Sequence, residues 1–325
     1  MKTQMINILL FLVTLIPTIF IESKLIPILS RKAKQPIYEE GPAWHMKKQG
    51  TPTMGGIAFL LSISLSLVLY SFYLINLGKQ RESGISLLIS VLYAFGNAII
   101  GIADDLTKLR RRQNGGLTPK QKLLLQSLLA ILFLMSRRFY FDDSTTISLF
   151  FGNIDLGFIY YPLVFVILLG IVNCANLTDG IDGLAGSVAM TIGITLMLSA
   201  LPLEIGSLAS AITGACLGFL LFNSHPAKIF MGDTGSLFLG ALIATVGFSF
   251  GNPLVTTLFG GVYVIEGVSV ILQVMFFKLA GKRIFKMAPL HHHLEKCGFE
   301  ETKICAMAVI FTLLMSMIGL MLVRI

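Results

Sequence analysis

Ten long apolar runs constrain this chain more than any other feature of its sequence. A helix needs about 20 apolar residues to cross roughly 30 Å of hydrocarbon, and it satisfies its own backbone polar groups there. Only 13% of the residues are charged, whereas a soluble domain carries about a quarter. We therefore predict an all-α integral membrane protein, a single polytopic domain over residues 1–325 with about ten transmembrane helices. The runs cover residues 5–29, 55–77, 85–103, 121–136, 158–173, 183–201, 205–222, 236–251, 254–277 and 304–324.

The ninth run is interrupted by Gly260, Gly261, Glu266 and Gly267. Glycines and a carboxylate inside an apolar run are typical of a helix that faces protein or water rather than lipid. The sequence therefore predicts that the ninth span is bent or broken. The alternative is that Glu266 lies near a helix end and snorkels outward.

Lysine and arginine are distributed unevenly between alternate loops, which indicates the orientation. Eighteen of the 25 basic residues lie in 31–48, 104–122, 223–235 and 278–303, and six lie on the other side. We predict that the richer loops are cytoplasmic, in a bacterial inner membrane, with both termini outside. This topology accounts for the net charge of +8, so the charge gives no reason to expect a nucleic acid partner.

The polar residues with catalytic chemistry lie on the same predicted side as the basic loops. A transporter more often places such groups near the bilayer midplane. Their position at one surface instead predicts an active site that meets a water-soluble substrate at the membrane boundary. They are His45, His225, His291, His292, His293, Asp104, Asp105, Asp179, Asp182 and Asp233.

Two motifs contain paired acids. Asp104 and Asp105 follow the third run, and adjacent helical side chains point about 100° apart, so the pair suits two separate roles. Solvated aspartates at a helix end are the alternative. Asn176, Asp179 and Asp182 recur every three residues in a nearly uncharged stretch. Because buried acids are costly there, this second motif predicts a functional site.

Three further loops are candidates for contacts with an anionic substrate. Residues 50–56 (GTPTMGG) would allow close backbone approach, although a plain turn explains this composition equally simply. Residues 223–236 contain Asp233, a hard-oxygen ligand of the kind magnesium takes, followed by hydroxyls and helix-start amides that suit an anion. The triplet His291–His293 lies among lysines and predicts phosphate or sugar contacts rather than a zinc site, because three consecutive histidines cannot converge on one ion.

Together, TPTMGG, the Asp-Asp pair, NLTDGIDGLAG, FMGDTGS and MAPLHHH resemble, in this order, the signatures of the bacterial phospho-N-acetylmuramoyl-pentapeptide transferases. The resemblance spans nearly the whole chain and implies ten spans. It implies magnesium-dependent transfer of phospho-N-acetylmuramoyl-pentapeptide from UDP-N-acetylmuramoyl-pentapeptide to undecaprenyl phosphate, with release of UMP. It also implies a homodimer. Direct transfer and a phospho-enzyme intermediate both stay open.

The same resemblance implies roles for individual residues. Asp233 resembles the magnesium ligand, Asp104 the base that deprotonates the lipid phosphate, and Asp105 its partner. His291 completes the catalytic set, with His292 and His293 as substrate contacts. Asn176, Asp179 and Asp182 match the nucleotide-site motif, and Phe230 would stack on uracil. Further substrate contacts would be Lys48, Thr53, Lys122 and Asn223.

Two other functions stay open from the sequence. A related transferase would take UDP-N-acetylglucosamine and pass its sugar phosphate to a polyprenyl phosphate. A secondary transporter would explain the interrupted ninth run, but it leaves the one-sided carboxylates without a role.

Overall fold

The computed structural model describes residues 2–32, 48, 50–76, 80–111, 115–141, 144–199 and 202–323. Over these residues the backbone forms twelve α-helices and one β-hairpin. The helices are α1 Lys2–Lys32, α2 Gly56–Asn76, α3 Arg81–Arg111, α4 Pro119–Phe141, α5 Tyr160–Thr178, α6 Leu184–Leu198, α7 Leu203–Asn223, α8 Gly232–Ser249, α9 Val255–Phe259, α10 Gly261–Ala280, α11 Leu290–Lys296 and α12 Glu301–Val323. The strands are β1 Thr146–Leu149 and β2 Gly152–Asp155.

Each of the ten apolar runs is helical, which confirms the predicted all-α membrane fold. Among the described residues, eight helices are long and apolar enough to cross a membrane: α1, α2, α3, α4, α5, α7, α10 and α12. Helix α6 is apolar but has only 15 residues, and α8 has 18. The count of ten crossings therefore stays a prediction.

Helix α8 lies inside the bundle and packs against α3 and α5. Its residues from Thr234 to Phe248 are all buried, as expected for a helix that is apolar on every side. Glycines allow this close packing. A Cβ on Gly101 of α3 would lie 2.3 Å from the main-chain oxygen of Asp233, and one on Gly56 of α2 would lie 2.3 Å from Cα of Gly235. The first turn of α8 is thus held directly against α2 and α3.

The ninth run is broken at Gly260, where α9 ends and α10 begins. Glu266 of α10 is 5% exposed and contacts His291 in the protein interior. The predicted break is therefore confirmed. The alternative, a glutamate that snorkels outward, is wrong.

One local prediction needs correction, and one element is additional. Helix α3 continues to Arg111, so Asp104 and Asp105 lie within a helix rather than at its end, and both are buried. Between α4 and α5 the chain forms an antiparallel hairpin that pairs Thr146 with Asp155, an element for which the sequence analysis makes no prediction.

The hairpin lies at the end of the bundle opposite Asp104 and Asp105, because α4 and α5 run between the two ends. Several residues used for the orientation argument lie outside the described residues: Lys34, His45, Lys47, Lys79, Arg112 and Arg324. The direction in which the bundle crosses the membrane stays a prediction.

Candidate active site

Three carboxylates meet at one end of the bundle. Asp104 and Asp105 extend from α3, and Asp233 extends from the first turn of α8. Oxygen atoms from all three lie within 4.8 Å of one another, a group that could hold a metal ion. Like charges at this distance repel strongly unless cations or protons compensate them.

Two lysines provide part of that compensation. Lys122 of α4 donates to Oδ2 of Asp233 in a short ion pair. Lys108 of α3 lies 3.1 Å from Oδ1 of Asp233 and 2.6 Å from Oδ2 of Asp104. Lys108 occurs four residues after Asp104, so both side chains lie on one face of α3. The sequence does not predict this contact, because the apolar run that predicts α3 ends at residue 103, whereas the helix continues to Arg111.

Asp104 and Asp105 have different partners, in agreement with the two roles expected from their orientation. Asp104 accepts a hydrogen bond of 2.8 Å from the main-chain N–H of Leu117, which ties the α3–α4 connection to the site. Asp105 accepts from the N–H groups of Asp233 and Thr234, at 3.1 and 2.9 Å. Asp105 therefore caps the start of α8.

The start of α8 is accordingly occupied by a protein carboxylate. The hydroxyl of Thr234 donates to Asp105 at 2.7 Å, and the hydroxyl of Ser236 donates to the main-chain oxygen of Gly232 at 3.1 Å. The expectation that these hydroxyls and amides face an external anion is wrong for this structure. The positive end of the helix dipole stabilises Asp105 instead.

Asn176, at the end of α5, connects this carboxylate group to the neighbouring motif. Its side-chain amide donates to Oδ1 of Asp233 at 3.1 Å and to Oγ of Ser236 at 2.8 Å. Asn176 thus shares Oδ1 of Asp233 with Lys108 and helps to orient this carboxylate.

Asp182 lies in a second polar cluster, formed by residues from four segments. Its Oδ1 accepts from Nζ of Lys48 at 2.8 Å. Its Oδ2 accepts from the N–H of Ala227 and contacts Nδ1 of His225, both at 3.0 Å. Glu301, at the start of α12, accepts from the main-chain N–H of Asp182 at 2.8 Å. Glu301 was not predicted as a site residue, and His225 was predicted only to share the side of the active site, without an individual role.

Asp179 lies between the two clusters, immediately after α5. Burial raises the pKa of its carboxyl to about 8, and the nearby carboxylates of Asp233, Asp105 and Asp182 act in the same direction. A carboxyl in this state carries its proton at neutral pH and can donate a hydrogen bond.

The three consecutive histidines have different partners, as expected from their spacing. His291 is fully buried, and its Nδ1 lies 3.1 Å from Oε2 of Glu266. Its Nε2 faces Gly180, where a Cβ would approach to 2.2 Å. His292 pairs with Glu295 at 2.6 Å. Nδ1 of His293 accepts from the N–H of Lys286 at 3.0 Å, so the triplet converges on no single point.

The remaining predicted contacts support the loops around the site. Asn223 accepts from the N–H of Gly183 at 3.1 Å and donates to the main-chain oxygen of Ile229 at 2.8 Å. Phe230 is half-buried, and its N–H donates to the oxygen of Pro52 at 2.8 Å. Thr53 is buried beside them. Their contacts with a substrate stay predictions.

The structure thus brings together segments that were predicted to share one side. Lys108 joins Asp104 to Asp233 through ion pairs, and Asp182 is bonded to Lys48 and Glu301. The ring of His291 lies against Gly180, next to Asp179. Missed residues differ in the signal they offered. Lys108 has helical spacing from Asp104, and Glu266 is a carboxylate in an apolar run. Glu301 has no local pattern that distinguishes it from its exposed neighbour Glu300.

Comparison with known proteins gives a consistent result. The family model described as "Glycosyl transferase family 4" matches residues 85–251. A model described as "Phospho-N-acetylmuramoyl-pentapeptide-transferase signature 1" matches residues 48–60.

Curated relatives named phospho-N-acetylmuramoyl-pentapeptide-transferase match along most of their length. The protein of Halalkalibacterium halodurans is 43% identical over 306 residues, which cover 93% of this chain and 92% of the relative. That of Clostridium botulinum (strain Eklund 17B) is 43% identical over 300 residues, 90% of this chain and 89% of the relative. That of Caldicellulosiruptor bescii is 38% identical over 323 residues, 98% of both chains.

Proposed function

The chain belongs to the phospho-N-acetylmuramoyl-pentapeptide-transferase family, and from this premise we propose that it transfers phospho-N-acetylmuramoyl-pentapeptide from its UDP-linked form to undecaprenyl phosphate. The products are UMP and the first lipid-linked precursor of peptidoglycan. The observation that carries this proposal is the contact of Asp233 with Lys108, Lys122 and Asn176 beside the acids of α3. Such a group suits a reaction between phosphates.

Attack of one phosphate on a diphosphate brings several negative charges together. Catalysis therefore depends on positioning and on charge neutralisation. Lys108 and Lys122 provide two positive charges at the carboxylate group. Asp104 is proposed to orient the lipid phosphate and to accept its proton where one is present.

The carboxylates also fit magnesium, which prefers hard oxygen ligands and uses few of them. Both oxygens of Asp105 accept from main-chain N–H groups at the start of α8, which cannot move aside for an ion. The partners of Asp233 are side chains that can rotate away, so Asp233, with Asp104 beside it, is the proposed ligand. When bound, magnesium would supply further positive charge for the phosphate oxygens.

The second cluster is proposed to hold the nucleotide. Asp179 and Asp182 lie next to the carboxylate group and offer polar contacts for uracil and ribose, and Phe230 offers a ring face for stacking. His292 and His293 are proposed as contacts to the sugar or its phosphate, and His291 as a catalytic residue. Lys48, Thr53 and Asn223 complete the proposed set.

The remaining features are proposed from the sequence and the family. The site would face the cytoplasm from the bacterial inner membrane, since the basic loops share its end of the bundle. The protein would form a homodimer.

The proposal is tested by UMP release from purified protein, with undecaprenyl phosphate and magnesium present. We expect release from UDP-N-acetylmuramoyl-pentapeptide and little from UDP-N-acetylglucosamine, with an Asp233→Asn variant as the inactive control. Release from UDP-N-acetylglucosamine alone would assign the protein to the related transferases. No release from either donor would overturn the proposal.

A further inference from the structure

We infer that Glu301 is a positioning residue for the proposed nucleotide site. It acts through its bonds to the ammonium of Lys48 and to the main-chain N–H of Asp182. The inference rests on the proposed function, because it assigns a role within the proposed donor site. It concerns the start of α12, which contacts Lys48 and Asp182.

Both carboxylate oxygens of Glu301 have partners in other segments of the chain. Its side chain is 9% exposed. Nζ of Lys48 lies 2.6 Å from Oε1 and 2.7 Å from Oε2, and the N–H of Asp182 donates to Oε2 at 2.8 Å. Nδ1 of His225 is 3.8 Å away. One carboxylate therefore joins three other segments of the chain.

These contacts bond Glu301, Lys48 and Asp182 to one another in a closed ring. Glu301 binds Lys48, Lys48 donates to the carboxylate of Asp182 at 2.8 Å, and the main-chain amide of Asp182 returns to Glu301. A lysine on four flexible methylenes is poorly fixed by one acceptor. Two acceptors restrict it far more, and the same pair fixes the orientation of Asp182.

Helix α12 also holds the other side of the Asp182 residue. Sγ of Cys305 donates to the main-chain oxygen of Asp182 at 3.3 Å. Glu301 and Cys305 are four residues apart and so share one face of the helix. The N–H and the C=O of Asp182 are thus both tied to α12, immediately before Gly183 turns the chain with φ of 78°.

The consequence is specific to the donor. Removing the charge of Glu301 leaves Lys48 with one carboxylate and weakens the anchoring of the Asp182 main chain to α12, whereas the Asp104–Asp233 group keeps its own partners. The loss should therefore appear in the KM for the UDP-linked donor. The kcat and the KM for undecaprenyl phosphate should change little.

The test compares Glu301→Gln and Glu301→Ala with Glu300→Gln, a matched charge change at the exposed neighbouring position. Each variant is assayed for UMP release over a range of donor and of lipid concentrations. Glutamine keeps an oxygen for the Asp182 amide but loses the ion pair. We expect a rise in donor KM of about ten-fold for Glu301→Gln, the usual effect of one lost polar contact, a larger rise for Glu301→Ala, and wild-type values for Glu300→Gln.

A double-mutant cycle with Lys48→Met separates positioning from a general loss of structure. If Glu301 acts through Lys48, the fold-increase in donor KM of the double variant should be well below the product of the fold-increases of the two single variants. A lower kcat with an unchanged donor KM would overturn the inference. So would a double variant whose fold-increase in donor KM equals the product of the two single fold-increases. If Glu301→Ala does not fold, Glu301→Gln carries the test. Wild-type protein that releases no UMP would instead overturn the proposed function, and the inference would fall with it.

Discussion

The carboxylate of Asp105 caps α8 through Thr234, accepting from its main-chain N–H at 2.9 Å and from its hydroxyl at 2.7 Å. A third hydrogen bond comes from the N–H of Asp233. Both oxygens of Asp105 are therefore used by the start of α8, although they lie within 4.8 Å of oxygens of Asp104 and Asp233. The two neighbouring aspartates of α3 therefore do different work: Asp105 positions Asp233, while Asp104 faces Lys108 and the α3–α4 connection.

A first prediction separates these two aspartates by stability. Asp105→Asn replaces a carboxylate oxygen with an amide that cannot accept from the start of α8. We expect the free energy of unfolding to fall by about 1.5–3 kcal/mol, which is typical of a hydrogen bond to a charged group. UMP release should be lost as well. Asp104→Asn should lose activity with a smaller fall in Tm. Thermal unfolding in one detergent is the measurement, and a wild-type Tm for Asp105→Asn would contradict the capping role.

A second prediction concerns magnesium. Asp233→Asn keeps the size of the side chain but removes its charge. UMP release should fall by about 100-fold or more, as when a main electrostatic group of a site is removed, and the residual activity should require more magnesium. Asp104→Asn should lower activity without shifting the magnesium requirement. If Asp233→Asn titrates with magnesium like the wild type, the ligand lies elsewhere in the carboxylate group.

A third prediction tests the close packing that brings Asp233 to α3. A Cβ on Gly101 would lie 2.3 Å from the main-chain oxygen of Asp233 and 2.6 Å from the N of Thr234, and backbone atoms cannot rotate away. Gly101→Ala should therefore push α8 from α3, cost about 1–3 kcal/mol and reduce UMP release strongly.

Gly170→Ala is the matched control for that prediction. Gly170 lies within α5, and a Cβ there meets nothing within 4 Å. Alanine is the better helix former, so this variant should keep the wild-type Tm and activity. Equal effects at Gly101 and Gly170 would show that the packing argument is wrong.

A fourth prediction tests the orientation. In a background without the native cysteines, Lys120→Cys at the exposed start of α4 and Phe151→Cys on the hairpin place single thiols at opposite ends of the bundle. An impermeant thiol reagent added to intact cells should label Phe151→Cys only. Labelling at position 120 with protection at position 151 would reverse the proposed topology.

The sequence was most informative where one physical rule acts over many residues. The length of an apolar run predicts a span, because every transmembrane helix must cross the same thickness of hydrocarbon. The acids of the site were also found, because a carboxylate in an apolar stretch needs a reason to be there. The break at Gly260 followed from the same two rules.

The partners of those acids depend on tertiary packing, so the sequence predicts them less well. Glu301 reaches Asp182 across 119 positions of sequence, and nothing near Glu301 records that contact. Asp105 became a helix cap because Gly101 and Gly235 let α8 approach. Neither fact follows from a motif, since the residues that meet are fixed by how the helices pack.

A final prediction follows from the protonation of Asp179. Burial raises the pKa of its carboxyl from 3.8 to about 8, so the folded protein binds this proton more tightly than the unfolded chain does. The folded protein therefore loses stability as pH rises from about 4 towards 8, because the unfolded chain releases this proton over that range while the folded protein retains it. Asp179→Asn removes this penalty without changing the size of the side chain.

We expect Asp179→Asn to raise Tm relative to the wild type at pH 8, in protein without nucleotide or added metal, and to raise it less at pH 5. UMP release should fall at both values, because Asp179 is a proposed nucleotide contact. Thermal unfolding of both proteins at the two pH values is the measurement, and comparison within each pH cancels effects common to the rest of the chain. A Tm difference that is the same at pH 5 and pH 8 would mean that Asp179 is ionised in the folded protein at both values, as it is in the unfolded chain. A protonated carboxyl at this position would then be excluded.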